Sequence, residues 1–183
     1  MLGEALEIIT QMFSSELTTF DGKHYRLRDF PNLPPTVQQP RPPIHVGGVG
    51  EQRTLPLVAR YADVWNVPTY ALGEIEHKRD VLLAECDRIG RDPATIRTSE
   101  EAVLVITPDD ASLGEAMAKA ERRFGAPGFG LHEGGYIGTP PAIVDRIGER
   151  IELGITSFVF FCFDRASEAT LRLFAEEVMP HFA

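Results

Sequence analysis

The feature that most constrains the fold is a regular alternation of short apolar segments and amphipathic ones from residue 44 onward. The apolar segments have the length of strands, and the amphipathic ones have the apolar spacing of helices. Predicted strands lie at 44–46, 63–67, 101–107 and 157–163, and predicted helices at 54–62, 73–89, 110–124, 140–153 and 168–181. About four βα units in series predict an α/β fold with a parallel sheet. Periodicity alone leaves open whether that sheet is doubly wound or part of a barrel.

Residues 1–43 have a different organisation. Apolar residues at helical spacing predict an opening helix, and residues 20–27 predict a small β-hairpin around Asp21-Gly22. A connector at 31–43 holds six prolines, a density that excludes helix and sheet interior. We therefore predict one domain over 1–183, with the helix, hairpin and proline-rich insert at 1–43 and the βα units at 44–183.

Charge and composition narrow the classes of partner. The chain has 27 acidic and 18 basic side chains and a formal charge of −9, which disfavours nucleic acid and anionic membranes. No apolar stretch reaches the roughly 20 residues of a membrane span. The N-terminus carries Glu4 and Glu7 where a signal peptide needs basic residues, and the two cysteines are far apart. We expect free thiols, with Cys162 buried, and a cytoplasmic location.

A glycine-rich turn between a strand and a helix is the clearest candidate for a ligand site. It comprises Gly47, Gly48, Val49, Gly50 and Glu51. Glycine lets a ligand approach the backbone, and the following helix start supplies free N–H groups and a positive dipole end, which suits a phosphate. Taken alone the motif is equally typical of a tight turn, and its spacing matches neither the dinucleotide fingerprint nor a P-loop.

Other candidates have a structural and a functional interpretation that sequence alone does not separate. Arg53 either contacts the phosphate or points to solvent, and His45 either faces a ligand or is a hydrogen-bonded core histidine. Trp65 either stacks on a ring or belongs to the core. His132 lies in a glycine-rich stretch at 125–138 that is either a mobile lid or a surface loop. No spacing predicts a metal site, and no catalytic residue is assigned.

The longer context resembles a known family. The resemblance rests on Phe20-Asp21-Gly22-Lys23-His24-Tyr25, Pro42 to Glu51, Leu57 to Asn66, Gly90 to Ile96 and Ile137-Gly138-Thr139-Pro140. Together these segments are similar to the luciferase-like monooxygenase superfamily, nearest to its branch that uses the deazaflavin coenzyme F420. The resemblance implies the C-terminal half of a (β/α)₈ TIM-type barrel.

The resemblance also implies a function. The coenzyme, F420 or alternatively FMN, would lie across the mouth of the barrel, with its phosphate on the backbone of residues 47–51. The strand ending at Trp65 and Asn66 would reach the same mouth. The family implies a flavin- or deazaflavin-dependent oxidoreductase that transfers a hydride or activates oxygen on a small organic substrate.

Two departures from the family pattern limit that expectation. The chain begins at the helix before the family's fifth strand, so the first four strands and the usual catalytic residues have no counterpart, and enzymatic activity is left open. The alternative is a non-catalytic half-barrel or fragment that acts as a binding or assembly module, and we expect a homodimer or a complementing barrel half. Pro56 is tolerated only in a first turn, which predicts that the helix starts near Thr54.

Overall fold

A computed structural model describes all 183 residues of the chain. The helices are α1 (Leu2–Ser14), α2 (Thr54–Tyr61), α3 (Ile75–Ile89), α4 (Leu113–Phe124), α5 (Leu131–Gly134), α6 (Pro140–Glu152) and α7 (Glu168–Glu177). The strands are β1 (Leu17–Asp21), β2 (Arg26–Pro31), β3 (His45–Gly47), β4 (Val64–Pro68), β5 (Arg97–Ile106), β6 (Tyr136–Gly138) and β7 (Ser157–Cys162). None of the helices combines the length and apolarity that crossing a bilayer requires.

The central element is a parallel sheet of five strands, each of which is followed by a helix. β4 pairs with β3 on one side and with β5 on the other, and β5 also pairs with β6 and β7. β3 and β7 each have one strand partner, so both are edge strands. Because all five strands are parallel, their carboxyl ends lie along one edge of the sheet, where ligands of α/β proteins bind.

One face of the sheet carries most of the apolar core. Trp65 and Val67 of β4 pack there against Val58 of α2 and Leu82 of α3. Further along the same face, residues of β5 and α6 form a second cluster that includes Ala102, Leu104, Ile143 and Ile147. Burying a side chain such as Leu55 or Val58, each with no exposed surface, contributes about 1.5–3 kcal/mol, so these clusters hold the sheet in place.

The opposite face is only partly covered. Helices α4 and α5 shield Val103 and Val105 of β5. On β7 the same face presents Val159 and Phe161, which are 43% and 37% exposed. We call this the open face of the sheet.

The hairpin of β1 and β2 is antiparallel and is attached to α1. The carboxylate of Glu4 accepts hydrogen bonds from the backbone N–H groups of Lys23, His24 and Tyr25, at 3.2, 2.8 and 3.1 Å. These hydrogen bonds hold the pKa of Glu4 below its usual value, and the bond from the N–H of His24 has the largest effect. The hairpin and the proline-rich connector that follows it were both predicted, and the connector holds no helix.

Several local predictions are confirmed. Helix α2 starts at Thr54, which leaves Pro56 in its first turn. Gly90 ends α3 in a left-handed conformation with φ of 69°, which a glycine adopts without strain. The position of Thr139 and Pro140 at the start of α6 is also as predicted.

Other predictions need correction. β5 starts at Arg97, four residues before the predicted strand, because its polar residues find partners inside the fold. The stretch 125–138 is not a plain loop, since it holds α5 and β6. Cys162 is a free thiol but only partly buried, because it lies on an edge strand.

Candidate active site

The glycine-rich turn leaves the carboxyl end of β3 as a defined loop. Gly48 has a φ of +110°, which side-chain-bearing residues rarely adopt, and its N–H donates to the carbonyl of Asn66 at 3.0 Å. The carbonyl of Gly50 accepts from the N–H groups of Thr54 and Leu55, at 2.8 and 2.9 Å. The loop is thus tied to β4 at one end and to the start of α2 at the other.

Between these two anchors the backbone donors are free. None of the five N–H groups from Val49 to Arg53 donates a hydrogen bond within the chain. Free donors at the start of a helix are the arrangement that binds phosphate in many proteins. A Cβ at Gly50 would lie 3.1 Å from Thr54 Oγ1, so a side chain there would crowd the loop. The residues of the loop therefore fit the phosphate that the sequence predicted.

Glu51 turns its side chain away to the neighbouring helix. Its Oε1 accepts from Lys78 Nζ at 2.6 Å and lies 3.0 Å from His77 Nε2, both on α3. The hydrogen bond from Lys78 lowers the pKa of Glu51, and the same bond raises the pKa of Lys78. The one acidic side chain of the loop is therefore neutralised by a neighbour, and it fastens the loop to α3.

Trp65 lies beneath the loop and supports it. The side chain is 1% exposed and belongs to the main apolar cluster, as the core interpretation predicted. Its indole N–H donates to the carbonyl of Gly48 at 2.9 Å. This bond satisfies the one polar atom of a buried tryptophan and fixes the position of the loop.

Asn66 lies on the open face beside Gly47, with which it pairs across the sheet. Its Oδ1 accepts from Ser99 Oγ at 2.8 Å, which orients the amide. Its Nδ2 lies 3.4 Å from Glu101 Oε2. Ser99 and Glu101 were not singled out in the sequence. The structure brings them to Asn66 because the register of β4 and β5 puts all three on one face.

Asp63 anchors the proline-rich connector next to this site. It accepts from the N–H of Ile44 at 2.7 Å and forms a two-point ion pair with the guanidinium of Arg41. Burial on its own raises the pKa of Asp63, but the hydrogen bonds from Arg41 and Ile44 outweigh burial and lower it. The ion pair fixes the point where the connector enters β3, and hence the start of the glycine loop.

A second polar cluster, buried on the other face, was not predicted. Glu100 has no exposed surface and accepts from Tyr136 Oη at 2.6 Å and from Thr69 Oγ1 at 3.0 Å. Arg150 Nε lies 3.3 Å from Glu100 Oε2, yet it is misaligned and makes no hydrogen bond. Burial raises the pKa of Glu100, and burial with the Glu100 contact raises that of Tyr136. We call these four residues the Glu100 network.

The Glu100 network attaches the stretch 125–138 to the sheet. Tyr136 lies in that stretch, and a Cβ at Gly134 would lie only 2.7 Å from Thr69 Cγ2. His132 is exposed and pairs with Glu121 of α4 at 3.0 Å. His45 is exposed on the open face. The structure therefore brings neither histidine to the glycine loop through a contact.

Comparison with known proteins places this geometry in a family. The model of the luciferase-like monooxygenase family matches residues 1–139. An F420-dependent secondary alcohol dehydrogenase, solved with an F420-acetone adduct, superposes with a TM-score of 0.77 at 18% identity, over 100% of this chain and 61% of its own.

Two further solved structures are similar. A coenzyme F420 dependent tetrahydromethanopterin reductase from Methanopyrus kandleri has a TM-score of 0.71 at 20% identity, over 100% of this chain and 63% of its own. A monooxygenase from Streptomyces bottropensis has a TM-score of 0.75 at 19% identity, over 98% of this chain and 60% of its own.

This chain thus spans about three fifths of the length of the barrels it matches. The predicted fold, part of a TIM-type barrel, is confirmed by these superpositions. The family match covers well over half of the residues, and the chain belongs to the luciferase-like monooxygenase family.

Proposed function

We propose that this chain forms the phosphate-binding part of a flavin- or deazaflavin-dependent oxidoreductase, with coenzyme F420 as the ligand and FMN as the alternative. The observation that carries the proposal is the run of five unpaired N–H groups from Val49 to Arg53 at the start of α2. Backbone N–H groups at the start of a helix can bind an anion even in a chain whose formal charge is −9.

Each predicted site residue has a part in this proposal. Gly47 and Gly48 keep the approach to the backbone open, and Val49, Gly50 and Glu51 supply amides to the phosphate. Trp65 supports the loop from below through its bond to Gly48.

Asn66 lies on the open face beside the loop. Its Nδ2 lies near Gly47, 3.8 Å from where a Cβ there would be. Arg53 is exposed and forms no ion pair, so it is free to contact the phosphate as a charged donor.

The bound coenzyme supplies the redox chemistry, either by taking or giving a hydride or by activating oxygen as reduced flavin. The residues of this chain hold and orient it on a small organic substrate. The similar solved structures include F420-dependent enzymes and monooxygenases, which supports a flavin-type coenzyme in general and leaves the choice between F420 and FMN to experiment.

A titration with each coenzyme, followed by its own fluorescence, tests the proposal. We expect saturable binding of F420, or of FMN, that is lost in Gly48→Val, because the φ of +110° and the contact with Thr54 exclude a branched side chain. Gly128→Val is the matched control, since Gly128 lies outside the loop, has a similar φ of +102° and has no atom within 4 Å of its Cβ. Circular dichroism establishes that both variants are folded.

The alternative is a half-barrel without turnover that serves as a binding or assembly module. Open sheet edges at β3 and β7 and the exposed Val159 and Phe161 favour association, either with a second copy or with a complementing half. If neither coenzyme binds the folded protein, this alternative replaces the first. Sedimentation as a compact monomer would contradict the association in turn.

A further inference from the structure

A small cavity lies at the carboxyl end of β7, away from the glycine loop. Its volume is about 360 Å³. It is lined by Lys119, Arg122, Arg123, Phe163, Asp164 and Arg165. Four of these six residues are basic, in a chain whose formal charge is −9. We call it the cationic cavity.

Three of the four basic side chains of the cationic cavity have no acidic partner, and one of these three is fixed by hydrogen bonds. Arg123 donates to the backbone carbonyls of Cys162 and Phe163, at 3.1 and 2.9 Å, which fixes its guanidinium without removing its charge. Arg122 and Arg165 form no ion pair and no side-chain hydrogen bond. Only Lys119 has an acidic partner, Glu115, at 2.8 Å.

Asp164 is the one acidic residue of the cationic cavity, and its hydrogen bonds are made with residues other than the four basic ones. The carboxylate of Asp164 accepts from Ser167 Oγ at 2.5 Å and from Thr170 Oγ1 at 2.8 Å, at the start of α7. Although burial raises the pKa of Asp164, these hydrogen bonds outweigh burial and lower it, and the carboxylate supports Ser167, the N-cap of α7. It makes no ion pair with any of the four basic residues.

A larger cleft adjoins the cationic cavity. It has a volume of about 480 Å³ and shares Lys119, Phe163 and Asp164 with it. Its walls between α4 and α7 include the apolar Ile106 and Leu173 together with polar and charged side chains such as Glu115 and Glu176. A ligand that spans both spaces would therefore have an anionic head and an organic body.

We propose that the cationic cavity binds the phosphate or carboxylate group of an organic anion, which lies with its body in the adjoining cleft. Such a ligand is separate from the coenzyme phosphate, because β3 and β7 are three strand spacings apart, or about 14 Å. The glycine loop and the cationic cavity both lie at the carboxyl edge of one parallel sheet. A ligand in the cationic cavity would therefore lie at the same edge as the proposed coenzyme, where a substrate would be expected. This inference stands independently of the glycine loop.

Chemical-shift titration of the ¹⁵N-labelled full chain tests the inference with two probes, inorganic phosphate and succinate. We expect at least one of them to shift the amides of residues 162–166 and 119–123 in a saturable way. In the double variant Arg122→Gln with Arg165→Gln we expect that response to weaken about tenfold or more, because two charged donors are lost. The double variant Arg28→Gln with Arg97→Gln removes the same charge from exposed, unpaired arginines elsewhere and should leave it unchanged.

The outcomes separate the two proposals. Phosphate that shifts residues 162–166 even in Gly48→Val supports the cationic cavity, whatever happens at the loop. A response to phosphate alone or to succinate alone identifies the anionic group. If neither probe shifts these amides, or if both double variants weaken the response equally, the cationic cavity is not a binding site.

Discussion

Two glycine-rich segments of this chain have opposite roles. In the loop after β3, glycines keep the backbone open, and five consecutive N–H groups have no partner. In the stretch 125–138, glycines allow close packing, since a Cβ at Gly130 or Gly134 would lie 3.0 or 2.7 Å from Thr69. The first segment is the one that we propose receives a ligand, whereas the second is packed as part of the fold.

The surroundings explain the difference. The N–H groups of the first loop, from Val49 to Arg53, meet no acceptor within the chain. The second is tied to the sheet by the Glu100 network, in which Tyr136 donates to a carboxylate with no exposed surface. Glycine content alone therefore does not distinguish a candidate ligand site from a packed segment. The two differ in whether their backbone and side-chain donors are hydrogen-bonded within the chain.

The largest expected effect comes from removing the acceptor of the Glu100 network. Glu100→Ala leaves Tyr136 without an acceptor and Arg150 without a counter-charge in a buried site, whereas Thr69 keeps the backbone carbonyl of Glu101 as its acceptor. We expect a loss of about 3–5 kcal/mol of unfolding free energy, measured by urea denaturation. Glu101→Ala, one residue away and half-exposed, is the control and should change that free energy by less than about 1 kcal/mol. Equal losses in both variants would mean that the network does not hold the second segment.

A smaller loss is expected from adding one methyl group to the second segment. Gly134→Ala puts a Cβ 2.7 Å from Thr69 Cγ2 and should cost about 1–3 kcal/mol of unfolding free energy by overpacking. Gly148→Ala, in the middle of α6 with no atom within 4 Å of its Cβ, should instead stabilise by about 0.5–1 kcal/mol. A neutral Gly134→Ala would show that this segment is as open as the first loop.

The pH dependence of stability should report on Glu100 directly. Burial raises its folded pKa above the usual 4.5, so its contribution to stability is fully present below pH 4.5 and is lost as pH rises through the folded pKa. The unfolding free energy of Glu100→Gln should lack this loss, which amounts to at most about 1.4 kcal/mol per pH unit. The difference between wild type and variant, measured from pH 4 to 8, isolates the group from the other carboxylates. A constant difference would show that the pKa of Glu100 is not raised.

The smallest effect is expected from breaking the ion pair between Glu51 and Lys78, which fastens the first loop to α3. Lys78→Met removes the ammonium partner of Glu51 and leaves its carboxylate, next to the proposed phosphate position, with His77 as its remaining partner. We expect the affinity for the coenzyme to fall about three- to tenfold in the fluorescence titration. Arg88→Met removes the same charge from an exposed pair on the same helix and should leave the affinity unchanged. A full loss of binding in Lys78→Met would mean that the loop folds only with this ion pair.

Sequence reasoning predicted the elements that local chemistry specifies. Pro56 predicted the start of α2, and Gly90 predicted the end of α3, because each residue restricts or permits a backbone conformation by itself. Apolar spacing predicted four of the five strands of the parallel sheet. The glycine loop was identified on the same basis, as a strand, a turn and a helix start in series.

The contacts between distant segments were not predicted. β6 and α5 have glycine on both sides and no periodic pattern, so only their packing on Thr69 and Glu100 makes them regular. The first residues of β5 are polar, and their burial depends on Tyr136 and Asn66 from other strands. Likewise, the cationic cavity joins residues of α4 to residues that follow β7, some 40 positions later.

The sequence by itself thus determined the order of the longer helices and of four strands, the parallel sheet and the position of the glycine loop, since each depends on periodicity or on the conformational limits of single residues. Only the tertiary structure decided which glycines lie in a loop with unpaired N–H groups and which are packed against other side chains. It also decided which charged side chains form ion pairs. Hydrogen bonds and ion pairs between distant residues depend on strand register and helix packing, and neither is encoded in any local stretch of the chain.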